Sequence, residues 1–232
     1  MNNWRKYHGA LIPSTPPHIQ VDITGLEEEI KNQNAYFARW ISDFDQKDES
    51  EFWYVICDTK IQLQDYSRNT RSKISRSKKY FDIKKITKRI LIQKGFKVYR
   101  KAQTRYKSVL FPKTKQIFIN ELVDLDMHWD FWGVFIKDSD TLVAYSINKL
   151  SSKSCDYSTT KFDPYYLRKY SSYLLYHTMN EYYLNIKEFN YIHNGTRSLS
   201  HQTNIQDFLV QKFSYRKAYC KLNIIYSRRI GV

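Results

Sequence analysis

The sequence predicts an α+β fold: a central mixed, mostly antiparallel sheet flanked by helices. Three observations predict it. Residues 131–136 (Phe-Trp-Gly-Val-Phe-Ile) and 141–147 (Thr-Leu-Val-Ala-Tyr-Ser-Ile) are apolar runs separated by the turn residues Lys137-Asp-Ser-Asp140, the pattern of an antiparallel hairpin. A third strand-like stretch, Ser154–Phe162, runs into Asp163-Pro164, an N-cap and N1 pair that opens a long helix. That helix carries Leu167, Tyr170, Leu174, Leu175, Met179 and Tyr182 in a stripe broad enough to cover a sheet. A strand at 189–193, a helix headed by the capping box Thr203-Asn-Ile-Gln206 and a last strand at 218–226 complete the order.

The first half is less regular. Pro13, Pro16 and Pro17 make the first 20 residues an extended arm. Thr24-Gly-Leu-Glu27 forms a capping box for a helix through Leu26 and Ile30. Residues 52–57 (Phe-Trp-Tyr-Val-Ile-Cys) read as a strand, and 67–80 as a basic helix. A further helix places Ile83, Ile86 and Ile90 on one face and stops at Gly95 as its C′ residue, with 96–99 extended behind it. Residues 111–123 give a turn and then a helix. At 232 residues the chain can bury roughly 70–75% of its unfolded surface. The expected organisation is an arm and helix over 1–50, packed on a domain spanning 51–232.

Composition narrows the class. With 42% apolar and 26% charged residues the chain is globular and not disordered. Aromatic content is high at 16%, with 20 Tyr, a residue suited to half-buried positions. No apolar run reaches the length of a membrane span, and the start has no secretory-signal run, so a cytoplasmic protein is expected. Cys57, Cys155 and Cys220 are scattered and read as buried reduced thiols; His8, His18, His128 and His177 have no ligand spacing, and no metal is expected.

The net charge of +15 is concentrated. Between Lys60 and Lys107 stand 17 Lys and Arg against two acids, Asp65 and Asp82, so this segment carries the whole of it. Such density attracts polyanions: nucleic acid, coenzyme A or anionic headgroups. Arg68, Arg71, Lys73, Arg76, Lys78 and Lys79 are the candidate contacts, and a solvated helical face is the bland alternative.

The order hairpin, strand, long helix, strand, short helix, strand, over about residues 52–226, resembles the core of the GNAT acyltransferase superfamily. The helix at 203–212 followed by Phe213-Ser-Tyr-Arg-Lys-Ala-Tyr219 resembles the GNAT ending, in which a helix runs into a Leu-Gly-Phe turn and a last strand. Arg68-Asn-Thr-Arg-Ser-Lys-Ile74 and the later basic helices resemble a segment of the Fem-type branch, which contains aminoacyltransferases that build peptidoglycan cross-bridges from charged transfer RNA. The resemblance implies an acyl-coenzyme A or aminoacyl-tRNA donor. Two positions depart from the coenzyme A pattern. At 162–169 (Phe-Asp-Pro-Tyr-Tyr-Leu-Arg-Lys) there is no glycine, Pro164 removes an amide donor and Asp163 adds negative charge. Val210 stands where many GNATs offer a tyrosine as general acid.

The resemblance also implies that the donor lies where the strand 154–162 splays from the strand 189–194. Asp156, Tyr157, His193 and Asn194 are the polar residues there, with Arg197, Ser198 and His201 in the next loop. His193 or Asp156 is the candidate general base, with Tyr157 beside them. Asn194, Arg197, Ser198 and Arg168 are the candidate anion-binding residues. Two functions follow. One is a GNAT-like N-acyltransferase moving an acyl or aminoacyl group onto an amine or hydroxyl acceptor. The alternative is a non-catalytic nucleic-acid-binding protein on a degenerate GNAT scaffold, using the 60–107 segment.

Overall fold

The computed structural model describes residues 4–105, 112–197 and 204–227. The fold is α+β, a large and mostly antiparallel sheet flanked by helices. The chain divides into two compact units, one drawn from residues 1–55, 196–201 and 217–232, the other from 56–195 and 202–216.

In the first unit the N-terminal arm is a hairpin, β1 (Trp4–Tyr7) on β2 (Ala10–Pro13). His8 and Gly9 both take positive φ at its turn. Helix α1 (Leu26–Asn32) starts one residue later than the capping box predicted: Gly25, with φ 72°, is the N-cap, and the Thr24 amide donates to Asp22 Oδ1 at 2.9 Å. Strand β3 (Phe37–Gln46) went unseen in the sequence, because its outer half is polar and Asp43 and Asp45 sit at positive φ. It runs parallel to β2, while the long C-terminal strand β10 (Arg216–Tyr226) pairs antiparallel with its other edge. Trp4, Leu11, Leu26, Ile30 and Ala38 form this unit's core. Strand β4 (Phe52–Cys57) follows, as the sequence predicts.

The second unit opens with a 3₁₀ turn at Leu63–Asp65 and helix α2 (Arg68–Ser77), whose N-cap Ser67 accepts from the Thr70 amide. The next element corrects the sequence reading. Phe81–Ile86 is strand β5, and helix α3 (Lys88–Gln103) starts after it with Thr87 as N-cap and runs straight through Gly95 and 96–99. Ile83, Ile86 and Ile90 fit a helical spacing, but the Thr87 cap resets the register between them. Gly95 does not stop the helix. It leaves room for Leu91 of the same helix and for the Phe118 ring packed against it, since a Cβ there would lie 2.6 Å from Leu91 Cδ1 and 3.0 Å from Phe118. Helix α4 (Lys115–Val123) matches the expected helix.

Strands β6 (Trp129–Ile136), β7 (Leu142–Leu150) and β8 (Ser154–Phe162) form the predicted meander, and with the strand at Tyr191–Thr196, β9, the order in this unit is β9-β8-β7-β6-β5. Strand β9 (Tyr191–Thr196) starts two residues beyond the predicted 189. The long helix is broken in two. Asp163 caps α5 (Pro164–Leu167), Tyr170 turns the chain at φ 64°, and α6 (Ser171–Asn180) follows and ends in a π segment, Glu181–Ile186. Helix α7 (Asn204–Phe213) leads to Ser214, whose φ of 58° fills the place of the glycine in the resembled turn. Its expected capping residue Thr203 lies outside the described residues.

Both faces of this sheet are covered, so β6 is buried almost without interruption. On one face α3 and α4 bring Leu91, Val98, Tyr99, Phe118 and Leu122 onto Phe131, Phe135 and Tyr145. On the other, Trp132, Asn148 and Tyr157 meet Met179, Asn180 and Tyr183 of α6 and its π segment, Ser146 bonds Asn148 beneath them, and α2 packs on α6. The basic 60–107 segment is therefore not one surface. Its α2 part lies on the α6 face and its α3 part on the opposite face.

Candidate functional site

Strands β8 and β9 run parallel and pair only at Ser154↔Tyr191, Cys155↔Ile192 and Asp156↔His193. Beyond that register they separate, and the fork opens at the Asp156–His193 pair. One bridge spans it just past the last pairing, where Asn194 Nδ2 donates to the Tyr157 carbonyl at 3.4 Å. Gln206 Nε2 of α7 reaches the Asn194 carbonyl at 3.5 Å.

His193 is 7% exposed, and its Nδ1 stands 3.6 Å from Asp156 Oδ1. The Gly195 amide donates to the same Nδ1 at 3.3 Å, so that nitrogen accepts from the backbone while facing the carboxylate. Asp156 Oδ2 accepts from Ser158 Oγ at 2.5 Å, which fixes the carboxylate beside the imidazole. A proton added to Nδ1 would face a carboxylate.

Tyr157 follows Asp156 and so points to the opposite side of the sheet. It is 2% exposed, and its hydroxyl donates to Asn180 Oδ1 at 3.1 Å, as does that of Tyr215. Burial pushes both phenols well above the ordinary tyrosine range. Tyr157 thus keeps its proton and ties β8 to α6, on the face away from His193.

At the end of β8, Asp163 is nearly buried. Its Oδ1 accepts from the Tyr165 amide at 3.2 Å, and its Oδ2 pairs with Lys101 Nζ at 2.5 Å. The negative charge at this helix start is already neutralised from within, and one amide of the first turn is already used.

Of the other candidates, Arg197 belongs to the first unit. Its amide donates to the Trp53 carbonyl at 2.8 Å, and its guanidinium bonds the Glu51 carbonyl and lies 5.0 Å over the Trp53 ring. Ser198 and His201 lie outside the described residues. Arg168 is exposed at the end of α5. On α2, Arg71 holds the Gln64 and Tyr66 carbonyls at 2.9 and 2.8 Å. Lys73 donates to Tyr173 Oη at 3.1 Å, and Arg76 to Tyr170 Oη at 3.4 Å. Arg68, Lys78 and Lys79 are exposed.

A further polar feature leaves only a faint trace in the sequence. Under α6 a hydrogen-bonded chain crosses the sheet from Lys85 to Thr160. Lys85 Nζ pairs with Asp130 Oδ1 at 2.7 Å, and Tyr183 Oη donates to Asp130 Oδ2 at 3.0 Å. Trp132 Nε1 and Asn148 Nδ2 donate to Tyr183 Oη at 2.9 and 3.3 Å. Ser146 Oγ donates to Asn148 Oδ1 at 2.6 Å and meets Thr160 Oγ1 at 3.3 Å. Burial raises the Tyr183 phenol far above its ordinary value. Burial alone would lower the Lys85 ammonium, but the hydrogen bond and charge of Asp130 override it and the shift is upward. The only signal in the sequence is Ser146 and Asn148, polar at i and i+2 within an apolar strand.

The three cysteines are buried free thiols, as expected; burial raises Cys57 and Cys220 to about 11. Among the described residues no cluster of His, Cys, Asp and Glu could hold a metal ion, and no helix is long and apolar enough to cross a membrane.

No protein-family profile matches the chain, and no curated protein does. Solved structures do. FemX aligns over 97% of this chain and 84% of its own, with a TM-score of 0.67 at 8% identity. The C-terminal domain of a putative lysylphosphatidylglycerol synthetase from Agrobacterium fabrum covers 94% of this chain and 78% of its own, at TM-score 0.56 and 9% identity. L-PGS from Bacillus licheniformis covers 99% and 81%, at TM-score 0.55 and 10% identity. At such identities the likeness is one of fold, and the fold of this chain is GNAT-like, of the Fem type.

Proposed function

We propose that this chain is an acyltransferase that moves an acyl or aminoacyl group onto an amine or hydroxyl acceptor at the fork between β8 and β9. The observation that carries this reading is the fork itself, where parallel pairing stops at Asp156 and His193 and leaves two strand edges open beside a carboxylate–imidazole pair. Catalysis rests mainly on holding donor carbonyl and acceptor together. The acceptor proton passes to the Asp156–His193 pair as the new bond to the acyl carbon forms, and the donor oxygen or sulfur departs with the old one. Asn194 keeps the fork at its width through its bond to the Tyr157 carbonyl.

The donor is better matched by an aminoacyl group on RNA than by coenzyme A. At the start of α5, Pro164 has no amide to offer and Asp163 is committed to Lys101 and Tyr165, which leaves little there for a pyrophosphate. The fold is GNAT-like of the Fem type, and the sequence resembles that branch, which uses charged transfer RNA; this supports the same direction. A thermal-shift panel of acyl-coenzyme A and bulk aminoacylated transfer RNA tests the donor. Stabilisation by charged RNA above that by uncharged RNA supports the reading. Stabilisation by coenzyme A alone would overturn the donor assignment, and no shift with either would count against the transferase.

A further inference from the structure

We propose that the seam between α2 and the α5–α6 junction is a docking surface for the phosphate backbone of a single-stranded nucleic acid. The proposal deepens the RNA-donor reading above and rests on it for the kind of nucleic acid, while its test reads binding alone, with no transfer at the fork. Three cations line the seam, each laid on a tyrosine. Lys73 Nζ is 4.9 Å from the Tyr173 ring, the Arg76 guanidinium 5.1 Å from Tyr170, and Lys169 Nζ 4.7 Å from Tyr80. Arg68 at the start of α2, Lys78 and Lys79 just past its end and Arg168 just past α5 are exposed.

None of these seven charges is ion-paired with a carboxylate among the described residues. Of the acids close in the chain, Asp65 Oδ2 accepts from the Gln62 amide at 2.8 Å and Asp163 takes Lys101, while Asp82 and Glu181 are exposed on other elements, β5 and the π segment. Elsewhere in this unit exposed lysines do find acids, as Lys60 finds Glu188 and Lys113 finds Glu121. Seven like charges gathered without counter-charges repel one another, and a polyanion relieves that repulsion while releasing its own counterions.

The chemistry of the surface favours nucleic acid over a lipid surface. The one apolar side chain of α2, Ile74, is 0% exposed, so the helix has nothing to insert among acyl chains. Its outward positions are instead Arg68, Asn69, Ser72, Ser75 and Arg76, all able to donate to phosphate oxygens. On α5, next to Tyr166, whose ring meets Phe81, Tyr165 is 64% exposed, and past the end of α2 Tyr80 is 45% exposed; unpaired bases can stack on such rings.

The test is fluorescence anisotropy of the full chain with a labelled mixed-sequence RNA of about 20 nucleotides, long enough for one binding site. The surface predicts binding whose affinity falls with added salt. Lys78→Glu with Lys79→Glu should weaken it about tenfold or more and flatten the salt dependence by about 0.7 for each phosphate no longer neutralised. Lys97→Glu with Arg100→Glu makes the same charge change on α3, across the sheet, and should cost less than about threefold. Tyr165→Ala should cost about fivefold or more, the worth of one stacked base. Equal losses from the two charge-reversed pairs would refute a surface of defined place. So would an absence of RNA binding at low salt, or binding of phosphatidylglycerol vesicles with the same dependence on Lys78 and Lys79. Both altered pairs are exposed, and circular dichroism matching the parent protein checks that each variant folds.

Discussion

The two faces of the sheet in the second unit are built from opposite chemistry. Against α3 and α4 the contacts are apolar, with Leu91, Val98, Phe118, Phe131 and Phe135 packed without a polar partner to satisfy. Against α6 the same strands present Trp132, Ser146, Asn148 and Tyr157, each of them hydrogen-bonded. Burial on the first face supplies stability without fixing direction, whereas bonds on the second fix the angle at which β8 and α6 meet. The second arrangement is costly if one partner is lost, because a buried orphan donor or acceptor carries its full desolvation penalty. An apolar face holds the fold, and a bonded face aims the fork.

The largest effect expected from this contrast is on the apolar side. Phe135→Ala should lower unfolding free energy by about 3–5 kcal/mol, measured by denaturant titration, with no change in the fork. Tyr183→Phe should cost less, about 1–3 kcal/mol, although it removes one oxygen, because Trp132 Nε1, Asn148 Nδ2 and Asp130 Oδ2 lose their shared partner. A cost below about 0.5 kcal/mol would mean that the bonds on this face can be exchanged for packing, and the contrast would fail.

A third effect is set by pH. His177 of α6 is 4% exposed, and burial holds its pKa below the ordinary value of 6.5, with Lys78 adding to the shift and Glu181 opposing it. The Tyr66 ring lies edge-on to it at 5.7 Å. The unfolded chain therefore binds a proton below pH 6.5 that the folded chain refuses. Stability should fall as pH drops through that range, by up to about 1.4 kcal/mol per pH unit, and His177→Gln should flatten the slope. An unchanged slope would place the acid sensitivity elsewhere. The smallest effect belongs to the surface: Lys78→Glu with Lys79→Glu should move stability by less than about 0.5 kcal/mol, and upward if it moves, since two like charges leave a crowded seam.

The sequence revealed the faces unequally. Strands β6, β7 and β8 were legible because their apolar runs are bounded by turn residues and by the Asp163-Pro164 cap, all local signals. Strand β5 was misread, because Ile83, Ile86 and Ile90 satisfy a helical spacing and only the Thr87 cap separates the first two from the third. The break at Tyr170 was hidden because a tyrosine at positive φ has no sequence signature; the packing of α2 on α6 holds it there. At the fork, Asp156 and His193 are named by the resemblance, which puts the donor between these two strands; the structure sets the two residues opposite each other in register. Tyr157 was grouped with them by adjacency, whereas strand alternation sends it to the other face. The chain from Lys85 to Thr160 joins residues of separate strands and the π segment, so spacing along the sequence shows only its Ser146–Asn148 step.

The decisive measurement is transfer from bulk transfer RNA charged with labelled amino acids, in the presence of amine acceptors, by the parent protein and by Asp156→Asn and His193→Gln. Label should reach the acceptor with the parent chain, and either variant, still folded, should lose about a hundredfold or more of that transfer. Discharge no faster than in buffer, or equal in all three proteins, would contradict a transferase centred on the Asp156–His193 fork.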